Sequence, residues 1–116
     1  MAIATAQQRE NLAVAYGNAA THASLHAGAP GATGANEVTA TGSPAYARKP
    51  LTWAAGTVDG TVTATVTFDV PTGTTVTAAG LWTALTAGTF LDSVALTSQA
   101  FSSQGTLQVV FTFTQS

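Results

Sequence analysis

Residues 61–70 constrain this chain most. Val62, Ala64, Val66, Phe68 and Val70 alternate without a break with Thr61, Thr63, Thr65, Thr67 and Asp69. A period of two over ten residues describes a β-strand with one buried and one wetted face, and it does not suit a helix of 3.6 residues per turn. Threonine, β-branched and aromatic residues also dominate LTWAA, TTVTAAGLWTA, TFLDSVALT and GTLQVVFTFTQS, as strands prefer. Turn-forming groups separate these runs: Val58-Asp59-Gly60, Pro71-Thr72-Gly73, Ala87-Gly88 and Gln104-Gly105. No helical segment intervenes, so the expected arrangement is antiparallel, each strand folding back beside the last as a meander.

The first half of the chain has a different texture. Residues 5–20 are rich in helix formers, with Leu12, Tyr16, Ala19 and Ala20 at helical spacing, Thr5 as N-cap and Gln8 completing a capping box. In residues 21–27, Ala23, Leu25 and Ala27 alternate with His22, Ser24 and His26, which predicts a half-buried strand with both histidines on its polar face. Residues 28–50 hold four of the eleven glycines and three of the four prolines without periodicity, so they read as a long ordered loop, a feature usually functional or packed on a neighbour. The expected fold is mainly β: a single domain over 1–116, an antiparallel β-sandwich, jelly-roll-like, with one N-terminal α-helix (about 5–20), an extended loop (about 28–50) and strands over about 21–27 and 51–116.

Charge narrows the function. The chain has 116 residues with three basic and five acidic side chains, 7% charged against about 25% in an ordinary soluble domain. Alanine and threonine fill 46 positions. With a net charge of -2 and only Arg48-Lys49 clustered, counterion release cannot drive binding, and nucleic acid is excluded as an expected partner. No run reaches the 18 apolar residues of a membrane span and the start lacks a secretory pattern, so no membrane insertion and synthesis in the cytoplasm are expected. The absence of cysteine removes disulfides and thiolate metal sites.

Few residues offer chemistry. His22 and His26 are four apart, but position 23 is Ala rather than the Glu of a zinc-protease helix, so both rings are expected to hydrogen-bond loop backbone or a neighbouring subunit. Ser24, Ser43, Ser93 and Ser98 have no evident base, the carboxylates are scattered, and GAPGATG lacks the spacing of a phosphate loop. The expectation is no enzyme, no catalytic residue, no metal and no cofactor. Arg48 and Lys49, with Glu37 and Tyr46 in the same loop, are candidates for a local ion pair or for inter-subunit contact, structural anchoring being the preferred use. Trp53 and Trp82 are candidate sugar-stacking residues if exposed, with core packing preferred.

The order of motifs carries a resemblance over residues 5–92. Ser24-Leu25-His26 precedes a Pro-Gly turn. It is followed by Thr33-Gly34-Ala35-Asn36-Glu37-Val38, then Ser43-Pro44-Ala45-Tyr46-Ala47-Arg48-Lys49, then Phe68-Asp69-Val70-Pro71 and Gly80-Leu81-Trp82. The sequence resembles small phage tail fibre or minor tail proteins of actinobacterial phages and prophages, departing at Ala29, where an Asp is expected. The resemblance implies a virion structural protein in contact with other virion proteins of tail or capsid. It is expected to be a homo-oligomer, a trimer being one option, and low charge suits identical copies lying side by side. Two alternatives accompany this reading: a capsid decoration protein on the outer shell, and a carbohydrate-binding module touching the host envelope.

Overall fold

The structure is a computed structural model that describes residues 3–115. Helix α1 (Ala6–Ala19) precedes six strands: β1 (His22–His26), β2 (Lys49–Pro50), β3 (Thr61–Val70), β4 (Thr74–Trp82), β5 (Phe90–Phe101) and β6 (Gly105–Thr114). All pairings are antiparallel and build a four-stranded sheet, β2-β1-β4-β5, and a two-stranded sheet, β3-β6. The chain is thus mainly β, a sandwich-like pair of sheets with one helix, as expected.

The connectivity departs from a meander. Val70 pairs with Gly105 and Thr74 with Phe101, and the Gly73 amide donates to the Phe101 carbonyl at 2.7 Å. Strands β3 and β4 therefore run opposite β5 and β6 as one long ribbon, bent at residues 71–73 and 102–104 so that its halves fall in different sheets. This folded ribbon is the jelly-roll-like element. The bend has a simple cause: both halves are apolar on one side, and folding brings Val66, Phe68 and Val70 of β3 into one core with Val76, Ala79 and Leu81 of β4. Gly73, at φ +78°, supplies the left-handed residue that the bend requires.

In β3 the alternation is realised: Val62, Ala64, Val66, Phe68 and Val70 are buried, and the threonines are exposed or half-buried. Residues 51–55 make no continuous strand and contribute only the Ala54–Thr63 bridge. Trp53 explains this, because its indole turns inward to donate from Nε1 to the Ala20 carbonyl at 2.8 Å.

The helix begins as expected, with the Thr5 hydroxyl accepting from the Gln8 amide at 3.2 Å. Its buried stripe is different: Glu10, Ala13 and Gly17 face inward, while Leu12 is 39% exposed. Small residues win here because Gly17 lies against Trp53, where an added Cβ would come within 2.9 Å of Cγ. Glu10 is buried because its carboxylate accepts the Asp59 and Gly60 amides at 3.3 and 3.0 Å, closing the turn before β3.

Strand β1 carries the largest surprise. It lies between β2 and β4, and Ala23, Ser24, Leu25 and His26 are all buried. The expected polar face does not meet water. One side faces the β3-β6 sheet; residues 28–36 fold back over the other as a third layer, while Glu37, Val38 and Tyr46 bond along the edge of β1 beyond β2.

Candidate functional site

Beneath this third layer lies a polar network built on β1. His26 Nδ1 is 2.8 Å from the Ala35 carbonyl, an acceptor, so Nδ1 carries the proton and Nε2 accepts from the Ser24 hydroxyl at 2.7 Å. The Ser24 oxygen in turn accepts from Trp82 Nε1 at 2.8 Å. Burial, opposed by the Ala35 bond, lowers the His26 pKa below its usual 6.5, which keeps the ring neutral. Gly80 makes room: a Cβ there would lie 2.7 Å from Ser24 Oγ and 2.8 Å from His26 Nε2. The Ser24–His26 pair has the spacing of a nucleophile and its base, but both residues have zero exposure, so no substrate can reach the hydroxyl.

A second set of bonds pins the loop. Arg48 Nε and Nη2 reach the Glu37 carboxylate at 3.0 and 2.9 Å, and Tyr46 donates its hydroxyl hydrogen to Glu37 at 2.9 Å while accepting the Leu25 amide at 2.9 Å. Burial, with Glu37 alongside, pushes the Tyr46 pKa well above the usual phenol value. Arg48 Nη1 donates to the Ala84 and Ala87 carbonyls, and its guanidinium carbon sits 3.5 Å from the centre of the Trp82 ring. One side chain thus joins the loop, the segment after β4 and the indole. Lys49 pairs with Asp69 at 3.2 Å, tying β2 to β3 across the sheets.

On the opposite flank the two sheets part between β5 and β6. Leu81 and Phe111 lie in this groove, Val94 borders it, and Tyr16 and Trp53 line it together with Asp92. Tyr16 stacks on Phe113 at 3.8 Å and donates to Asp92 at 2.6 Å, and burial with that carboxylate raises its pKa. The other Asp92 oxygen accepts the Ser93 amide. The groove is largely apolar and its carboxylate is already engaged.

The chain matches the family described as podophage GP4 fiber I protein gp80 over residues 9–113. It belongs to this fiber I family. No curated protein and no solved structure matches it. The family match supports the resemblance to phage tail fibre proteins.

In this fiber I family chain the four loop candidates have defined places. Glu37, Tyr46 and Arg48 form one intrachain network, and Lys49 lies apart from it in the link to Asp69. Tyr46 is 3% exposed and faces its own β1. The two tryptophans separate: Trp82 is 8% exposed, closed by Arg48 on its face and by Phe90 at its edge, so its condition for sugar stacking fails. Trp53 is half-buried against Tyr16 and Phe111. His26 finds loop backbone as expected, while His22 contacts the Thr21 hydroxyl at 2.9 Å. Among the described residues no three potential ligands gather around a metal position. Sequence reasoning missed the Ser24–His26 bond, although its spacing of two along a strand was the available signal.

Proposed function

We propose that the chain is a non-enzymatic structural subunit of the phage tail fibre, a virion component that works through protein–protein contacts and as a homo-oligomer. It is synthesised in the host cytoplasm and incorporated into the particle. One observation carries this reading beyond the family match: each of the eight charged side chains already has a partner inside the chain. Glu37 pairs with Arg48, Asp69 with Lys49, and Tyr16 binds Asp92. Glu10 holds the Asp59 and Gly60 amides, Asp59 accepts the Thr61 amide, and Arg9 donates to the Ile3 carbonyl. What remains for neighbours is a neutral, hydroxyl-rich exterior, such as the Thr65, Thr67 and Val110 face of the β3-β6 sheet. Such a surface approaches other subunits without desolvating free charge.

Mass spectrometry of density-purified particles tests the assignment. The protein is expected in stoichiometric amounts, and its absence from particles would overturn the reading, including its capsid-decoration and minor-tail variants.

A further inference from the structure

The groove between β5 and β6 has a volume of about 410 Å³, within the range of about 300–1,000 Å³ that small-molecule sites occupy. Four aromatic rings converge on it from three parts of the chain: Tyr16 from α1, Trp53 from the segment after β2, and Phe111 and Phe113 from β6. They form a corner rather than a single stack. Trp53 stands at 83° to Tyr16 with centroids 6.0 Å apart and at 56° to Phe111, while Phe113 backs the Tyr16 ring. The indole is fixed before any ligand arrives, through its Nε1 bond to Ala20 and the close approach of Gly17, so binding costs little ordering entropy there. Asp92 supplies the one charge in this lining. Its two oxygens accept from the Tyr16 hydroxyl and the Ser93 amide, both neutral donors, and burial, with Asp92 beside it, raises the phenol's pKa and keeps it protonated. The carboxylate charge is therefore held in place but not cancelled. Arg48 and Lys49 are committed to Glu37 and Asp69, Arg9 donates to the Ile3 carbonyl, and no salt bridge to Asp92 forms among the described residues.

We propose that this groove binds a quaternary ammonium group, such as the trimethylammonium end of choline, with its methyl groups against the rings and its charge beside Asp92. Electrostatics select a cation: aromatic faces carry negative potential, the carboxylate adds a full charge, and no basic side chain belongs to the lining. Hydrogen-bond supply selects the methylated form. A primary ammonium brings three donors, whereas each Asp92 oxygen already accepts a bond and the lining adds only the hydroxyls of Ser93 and Thr112, so donors buried among Leu81, Val94 and the rings would go unpaired. A quaternary ammonium brings no donor and needs only apolar contact and a nearby negative charge. A metal ion meets the opposite difficulty, because among the described residues no three potential ligands gather. The site is independent of the virion assignment: it adds a ligand to the subunit wherever the subunit stands.

The two indole N–H resonances give a readout by nuclear magnetic resonance, with Trp53→Phe identifying which is which. On titration with choline chloride the Trp53 signal is expected to move saturably, while that of Trp82, covered by Arg48, stays still. Dimethylbutanol, the uncharged carbon isostere of choline, and butylammonium, a primary amine, should each bind several-fold more weakly. Asp92→Asn, which keeps an oxygen for Tyr16 and removes the charge, should hold the far-ultraviolet spectrum and weaken choline binding by roughly tenfold. The isostere comparison uses the unmodified protein and stands whether or not that variant folds. Cosedimentation with phosphatidylcholine vesicles would identify a lipid headgroup as the source of the ammonium, and choline binding without cosedimentation a free solute. A Trp53 signal that does not move saturably overturns the site, as does unchanged affinity in Asp92→Asn. Equal binding of dimethylbutanol overturns the choice of a cation, and equal binding of butylammonium overturns the methylated form.

Discussion

The Arg48 guanidinium lies 3.5 Å over the Trp82 ring while the same group grips Glu37 through Nε and Nη2. The stacking and the ion pair share one side chain that is 10% exposed, so its removal strips three contacts together and leaves Glu37 a half-buried carboxylate with Tyr46 alone. Arg48→Ala is expected to lower stability by about 2–4 kcal/mol in urea unfolding, and Arg48→Lys by less, because an ammonium can replace one bond but not the fork.

Stability should fall on mild acidification because of His26. Its folded pKa is lowered beneath 6.5 by burial, so the unfolded state takes up the proton first. The contribution is fully present above pH 6.5 and is lost as pH drops through 6.5 toward the lowered folded value. Comparing urea midpoints at about pH 7.5 and about pH 5.5, His26→Gln should flatten this dependence; an unchanged slope would place the titration elsewhere.

Gly17→Ala separates local preference from packing. Helix propensity alone favours alanine by up to about 1 kcal/mol. The added Cβ, however, would stand 2.9 Å from Trp53 Cγ, and overpacking of this kind costs about 1–3 kcal/mol. Net destabilisation is expected in thermal unfolding.

These sites show what was legible in the sequence. The β3 alternation, the Thr5 cap and the Arg48–Glu37 pair depend on neighbours close along the chain, and each is realised. The meander failed because a turn such as Pro71-Thr72-Gly73 specifies a change of direction without saying which sheet receives the next strand. Strand β1 looked half-wet because its second cover, residues 28–36, has no periodicity to announce packing. His26 and Ser24 needed both covers in place before their bond could be anticipated.

The closed indole of Trp82 makes a spectroscopic prediction. In Trp53→Phe the remaining emission should be blue-shifted and resistant to iodide, since Trp82 is 8% exposed and covered by Arg48. Red-shifted, readily quenched emission would reopen Trp82 as a stacking surface.

The central claim, a structural subunit of the tail fibre, is tested most directly by immunogold labelling of intact particles with an antibody to this chain. The account predicts gold on the fibres; label confined to the head shell, or none on particles that carry the protein's gene, would contradict it.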